Sequence, residues 1–447
     1  MSTIEMKNIR SRILRLALPA IMEMMLQTLV WTADTAMVGR LTPAAISSVN
    51  LGSQIMFTIS NIFGALGIGA TAMVSRHIGG ENKKRAEQIG SQSIGIGIII
   101  SLIIGVTGII TSKMIFKNIV SDKEVISLGT EYLKIVFIGI IFLIPLMISN
   151  AVLRGSGNAV APLISACFAN VINIVGDYVL IFGKFGFPKM GVRGAAIATA
   201  FSQAIGFFIT LSFLLRGKSS IKLHLKNIFN FNIKDMKSII KLSAPATFEM
   251  TMNEGSRLIS SFWVAQLGTL AFAGHSLASS AESISYMPAY GFAIAATTMV
   301  GQSLGANRTD HAEISTKQSI KYSCLLVGVV GLAFLLVPYS IMRLFSNNLE
   351  AVKIASRCLR VGALEQIPIA IAMVTSGALK GAGDTKGPFK IALAINLGLR
   401  LPLIFITVFV IKGRIEYVWL ATAIQYIAEA IFMTIRYRRG KWKSISI

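Results

Sequence analysis

Charge is scarce in this chain of 447 residues, and negative charge is scarcest: 14% of side chains are charged, with 20 Asp and Glu against 43 Lys and Arg. Soluble domains carry about 25% charged residues, so the composition excludes an ordinary water-soluble globule. Cysteine is scarce too. Cys167, Cys324 and Cys358 are an odd number without metal-ligand spacing, which leaves them as small packing residues. His77, His224, His275 and His311 are scattered, and no nucleophile, base and orienter can be assembled from spacing. No Gly-x-x-x-x-Gly-Lys-Ser/Thr loop is present, so the chain hydrolyses no nucleotide by itself. These gaps exclude the common enzyme classes and imply no cofactor.

What the chain has is apolar length. Hydrophobic residues make up 53% of it, and its mean hydropathy is +0.67. A bilayer core about 30 Å thick needs roughly 20 apolar residues per helix. Twelve such windows lie near 13–38, 44–74, 90–112, 132–154, 163–182, 194–215, 239–265, 270–301, 319–343, 358–379, 389–411 and 417–436. Stretches such as 94–110 are apolar on every face, whereas barrel strands alternate polarity, so an all-α polytopic membrane protein is expected. The first apolar run lacks a small-residue cleavage site before the next helix, so it reads as a retained span and no signal peptide is expected.

The formal charge of +23 would suggest nucleic acid in a soluble protein. With the N-terminus cytoplasmic, about 27 of the 43 Lys and Arg fall in the termini and the loops on that side and about 12 on the other. Both termini are therefore expected in the cytoplasm, and the surplus charge points to anionic lipid rather than nucleic acid.

The chain also repeats itself. ILRLALPA (13–20) overlays IIKLSAPA (239–246) at an offset of 226, and the same offset continues without a gap to lay LRGSGNAVAP (153–162) on LKGAGDTKGP (379–388). It pairs Glu23 with Glu249 and Asn170 with Asn396. The expected domains are 1–226, helices 1–6 with the start of a linker, and 227–447, helices 7–12. Six is even, so the halves enter the membrane from the same side and form a parallel repeat. Transporters of this kind place their substrate between the halves and rock them about it, and the basic 216–241 linker is long enough to allow that.

An acid at the bilayer centre costs on the order of 2.5–3.5 kcal/mol on insertion scales, so intramembrane acids are informative. Six candidates are Glu23, Asp34, Asp177, Glu249, Glu254 and Glu282. Asn170, Asn173 and Asp177 are spaced i, i+3 and i+7 on one face of helix 5, and Asp34 lies near the outer end of helix 1. The two Asp residues either cap helix ends, or meet and share a proton or hold a small cation with the Asn carbonyls. Under the 226 offset, Asp34, Asn173 and Asp177 fall on Ser260, Leu399 and Leu403, so the cluster belongs to one half only, unlike a structural cap. Helix 7, PATFEMTMNEGSRL (245–258), is too polar to face lipid and sets Glu249 and Asn253 on one face. Glu254 and Arg257 have the spacing of a structural pair, and Arg400 either neutralises an acid or snorkels. Glu282 reads equally as a loop residue or a cavity liner. The methionines and phenylalanines at helical spacing, Met24, Met250 and Phe248 among them, read as packing or as an adaptable apolar surface.

ADTAMVGRL (33–41), GIGATAMVSRHIGG (67–80), LRGSGN (153–158), NIVGD (173–177) and GVRGAAIA (191–198) together resemble the multidrug and toxic compound extrusion (MATE) transporters over the whole chain. The resemblance implies a V-shaped bundle of two six-helix lobes in the bacterial inner membrane, exporting drugs or metabolites against H⁺ or Na⁺. The helix 1 Asp and helix 5 Asn-x-x-x-Asp of DinF-like members match Asp34, Asn173 and Asp177, which implies a cation-coupling site there. The helix 7 Glu of NorM-like members matches Glu249, but their helix 10 Asp position holds Ile369. That leaves Glu249, with Asn253, Asn170 and Glu23, for substrate or a secondary cation. Expected partners are small organic substrates, amphipathic and cationic, and membrane lipid, with the chain acting as a monomer.

Three rivals remain. A lipid-linked oligosaccharide flippase of related architecture needs a cationic groove, and only Arg257 and Arg400 oppose the acids here. An integral-membrane enzyme needs a clustered constellation that the sequence does not show. A major-facilitator transporter carries a Gly-x-x-x-Asp-Arg-x-Gly-Arg loop after helix 2, absent here.

Overall fold

A computed structural model describes residues 3–217 and 219–447, and among them every regular element is helical. Twelve long helices run α1 (Thr3–Val38), α2 (Pro43–Gly64 continued by Leu66–Gly79), α3 (Lys83–Ile119), α4 (Lys123–Gly155), α5 (Val160–Phe182), α6 (Val192–Leu215), α7 (Ile233–Ala265), α8 (Thr269–Gly305) and α9 (Thr309–Leu336), then α10 (Leu349–Gly362 continued by Gln366–Gly381), α11 (Lys386–Val410) and α12 (Ile415–Arg438). Nine of these, among the described residues, are long and apolar enough to cross a membrane unaided. A tenth, α10, qualifies as two segments bent by 54°. The other two, α7 and α8, have the length but carry too many polar side chains for the same measure, as the polar stretch 245–258 anticipates. The window expected at 319–343 is interrupted: α9 stops at Leu336, and Pro338 opens a separate short helix, Pro338–Phe345.

Local chemistry sets the ends. Asn82, Asp122 and Asn348 accept backbone N–H groups at the starts of α3, α4 and α10, each answering donors that have no partner inside the helix. The repeat reaches the backbone: Gly157 and Gly383, paired by the 226 offset, both sit at φ +94°, and Glu81 and Asn307 both at +56°. Thr71 donates to the Ala151 carbonyl at 3.0 Å, joining α2 to α4, while its counterpart Thr297 donates to the Gly377 carbonyl at 2.9 Å, joining α8 to α10.

The contacts divide the chain into two compact units. One comprises Met22–Ile78 and Asn82–Ser243; the other comprises the residues up to Ile21, Gly79–Glu81 and Ala244–Ile447. Membership changes inside α1 and inside α7, close to Pro19 and Pro245, which the offset pairs and which interrupt the helical hydrogen-bond ladder there. In the first unit the opening turns of α7 pack on α2, where Gly69 faces Ser243 and a Cβ on it would lie 2.8 Å from the Ile239 carbonyl oxygen. In the second unit the opening turns of α1 pack on α8, where a Cβ on Gly291 would lie 3.1 Å from the Ala17 carbonyl oxygen and against Ile21.

The linker is not slack. Ile221, Leu223 and Ile228 are buried, the Lys222 N–H donates to Glu87 at 2.9 Å, and Asp235 pairs with Arg85 and accepts from Gln92 at 3.3 Å. Apolar side chains and a polar latch hold the segment against the start of α3.

Candidate functional site

The first unit brings the sequence-selected acids together. Helix α1 is exposed along much of its outer half, yet its Asp34 turns inward to face Asp177 of α5, which is 1% exposed. Asp34 Oδ1 and both oxygens of Asp177 are buried without a hydrogen-bond partner. Asn173, one turn before Asp177, is buried, and its amide nitrogen and that of Asn170 are likewise unpartnered. Tyr132 of α4 stands beside both acids and shares a 2.9 Å hydrogen bond with Ser53. Among the described residues no Lys or Arg forms an ion pair with Asp34 or Asp177. Two facing carboxylates away from water repel, and the arrangement becomes favourable when one proton or one small cation sits between them. Sequence spacing did not reveal Tyr132, because only the fold carries α4 to this place.

Glu23 lies elsewhere in the same unit and is engaged: Arg154 holds both its oxygens at 2.7 Å, Asn150 donates at 3.5 Å, and Thr210 donates to Asn150 at 3.2 Å. In the second unit, Glu249, 4% exposed, accepts from Lys380 at 2.7 Å and leaves Oε2 unpartnered. The offset maps Glu23 onto Glu249 and Arg154 onto Lys380, so one buried ion pair occurs twice. Both bases lie in the repeated LRGSGN and LKGAGD segments, and acid and base kept together under one offset were the readable signal. Asn253 accepts a 2.8 Å bond from Asn396, and Glu254 pairs with Arg257 at 2.5 Å as their spacing suggested.

Glu282 proves to be a helical residue of α8, facing Glu365 at the break in α10. Glu365 and Glu429 fall inside the expected windows 358–379 and 417–436, yet neither is among the six acids selected from sequence. Glu429 neighbours Glu249 and Lys380. Among the described residues no group of three or more His, Cys, Asp and Glu is placed to hold a metal ion.

Twelve long helices repeated as two sixes, with facing acids inside an apolar bundle, describe a polytopic membrane transporter. The MatE family model matches the chain twice, over residues 19–179 and 245–406, two copies whose starts are again 226 residues apart. The chain belongs to the MatE family, the MATE transporters, and is a transporter rather than an enzyme. It is 30% identical over 445 residues to the probable multidrug resistance protein NorM of Thermotoga maritima, covering 99% of this chain and 95% of that one. It is 23% identical over 432 residues to the probable multidrug resistance protein YoeA of Bacillus subtilis, covering 96% and 93%. Among solved structures, the outward-facing conformation of a multidrug resistance MATE family transporter aligns with a TM-score of 0.90 at 22% identity, covering 98% of this chain and 97% of that one. A MOP superfamily transporter from Pyrococcus furiosus aligns equally well, at 0.90 and 22% with the same coverage. The fold is thus the twelve-helix MATE fold.

Proposed function

We propose that the chain is a secondary active efflux antiporter that exports small organic compounds, amphipathic cations among them, in exchange for H⁺ or Na⁺. Membership of the MatE family and the multidrug names of its relatives support this reading. The observation that carries it is the pair of facing, unneutralised carboxyls of Asp34 and Asp177. Asp34 and Asp177 take up the coupling cation, and Asn173 and Asn170 offer further carbonyl oxygens. A cation there stabilises one arrangement of the chain and substrate stabilises another, so each ligand favours release of the other. Membrane potential supplies about 2.3 kcal/mol per charge per 100 mV, added to the ion gradient. Glu249, with its free oxygen, and Asn253 are the groups offered to substrate or a second cation, while Glu23 is committed to Arg154 and acts through that pair.

The charge asymmetry of the loops supports a chain in the bacterial cytoplasmic membrane with both termini inside and anionic lipid around it. A flippase is not favoured: the bases near these acids are Arg154, Lys380, Arg257 and Arg400, and the first three are tied into ion pairs rather than offered to a pyrophosphate.

The test is export of a fluorescent cationic dye from proteoliposomes under an imposed pH gradient and an imposed Na⁺ gradient, applied separately. One gradient should drive export, and Asp34→Asn and Asp177→Asn should each abolish the gradient-driven component. Coupled export left intact by both substitutions would remove this site from the mechanism, and export driven by neither gradient would remove antiport.

A further inference from the structure

A cavity of about 150 Å³ lies between the start of α3 and the linker, inside the first unit. Arg85, Gln88 and Gln92 line it from α3, and Asn227, Asn230 and Asn232 line it from the linker. One water occupies roughly 30 Å³ of liquid, so this space admits a group of several non-hydrogen atoms. Its walls are fixed by their own hydrogen bonds. Arg85 pairs with Asp235 and donates to Gln88 at 3.2 Å, while Gln92 donates to Asp235 at 3.3 Å and accepts from the Asn232 N–H at 3.3 Å. Asn232 accepts from the Lys234 N–H at 2.9 Å as α7 begins. Among the described residues the side-chain amides of Asn227 and Asn230 make no hydrogen bond, and Asp235 does not line the cavity.

The depth of the cavity says what it meets. From Arg85 to Gln92, α3 rises about 10 Å at 1.5 Å per residue. The headgroup layer of one leaflet is about 5–8 Å thick. The apolar window of α3 opens at 90, and the linker reaches past that point: a Cβ on Gly95 would collide with the Ile228 carbonyl oxygen and lie 3.0 Å from the Phe231 ring. The linker therefore descends to the edge of the hydrocarbon, and the cavity falls in the headgroup layer. Its exposed side chains agree with that level. Leu225, Phe229 and Ile233 are 59%, 62% and 81% exposed, and so are Lys222, Lys226, Lys234, Lys237 and Lys241, with Asp235 the one acid between 219 and 241. Apolar and basic side chains exposed together suit an anionic leaflet rather than water.

We propose that this cavity binds the glycerophosphate headgroup of one anionic phospholipid from the surrounding leaflet. The proposal rests on the membrane-embedded reading of the chain and needs no ion coupling. Arg85 supplies the fixed positive charge for the phosphate, and the amides of Gln88, Asn227 and Asn230 serve the glycerol hydroxyls, each amide being donor and acceptor at once. Leu225, Phe229 and Ile233 are left to the acyl chains. A seated headgroup ties the linker to α3 across the interface. The 226 offset lays Arg85 on His311 and Gln88 on Ile314, so the site is not repeated and one lipid is expected per chain.

The test is native mass spectrometry of the full chain in detergent, titrated with phosphatidylglycerol and, in parallel, with phosphatidylcholine. One phosphatidylglycerol should bind about tenfold more tightly than phosphatidylcholine, the effect of one hydrogen bond to a charged group. Asn227→Ala with Asn230→Ala should remove that preference. Arg85→Gln with Asp235→Asn should do the same, the two being made together so that neither charge is stranded. Thermal unfolding of each double variant verifies the fold. A preference that survives both double variants would mean a diffuse basic surface and overturn the site. Soluble glycerol phosphate separates the sources: it should fail to displace the lipid when added at the same concentration, and displacement would assign the cavity to a soluble phosphate ester and overturn the lipid. Binding needs no gradient, so a chain that binds the lipid as expected yet exports no dye would count against antiport and leave this site standing.

Discussion

Buried charge serves two opposite purposes here, and the partner decides which. Glu23 with Arg154 and Glu249 with Lys380 are acids matched to bases, the same pair built twice. Removing one member strands the other where water cannot reach it, at a cost of about 3–5 kcal/mol. Lys380→Met should therefore lower the unfolding temperature strongly, and adding Glu249→Gln to it should recover most of the loss, because the pair then disappears together. Thermal unfolding of the two variants in detergent checks this, and a double variant no more stable than Lys380→Met would refute the pairing. Asp34 with Asp177 has the opposite character: acid faces acid with no ion-paired base among the described residues, the arrangement on which the proposed ion site rests. The sequence exposed this second kind more readily than the first. Three polar residues at i, i+3 and i+7 mark a helix face by themselves, whereas Arg154 and Lys380 become legible only once their acids, 131 residues away in each case, are brought against them.

At the scale of the helix, apolar windows marked all twelve long helices, most plainly α3 and α4, which are apolar on all faces and need no particular packing to be recognised. The windows expected for α7 and α8 came from the same apolar pass, although these helices carry more polar residues than the rest. The bend before Gln366 and the π turns of α11 were not legible. Pro368 and Pro402 have no N–H to give Leu364 and Gly398, which breaks the ladder near both, but a proline alone sets neither the angle nor the kind of turn. Close helix contact, by contrast, is written in glycine. At Gly69 any side chain would meet the backbone of Ile239, which has no rotamer through which to retreat. Gly69→Leu should cost about 1–3 kcal/mol and lower the unfolding temperature, whereas Gly328→Leu on α9, where a Cβ meets nothing within 4 Å, should leave it unchanged. Equal effects from the two substitutions, measured side by side, would mean that helix propensity rather than close contact governs both.

For the molecule as a whole, the repeat and the charge distribution constrain each other. On the proposed topology an even number of helices per half returns the chain to its starting side, so both termini and the linker fall in one compartment. Loops after odd-numbered helices then lie opposite, including the segment after α5, where Lys184 is exposed. Lys and Arg concentrate on the side proposed for the termini, and by the positive-inside rule the proposed topology puts that side in the cytoplasm. With Cys167, Cys324 and Cys358 replaced, a single Lys184→Cys should react with a membrane-impermeant maleimide added to intact cells, and a single Lys441→Cys should react only after the membrane is opened. The opposite pattern would invert the topology, and reaction at both positions in intact cells would break the parity on which the parallel repeat depends. The same parity gives the unlike acid pairs their meaning. Two halves that match in turn geometry and in a buried ion pair differ in where they place unneutralised carboxyls. The halves share a scaffold and differ in the chemistry placed on it.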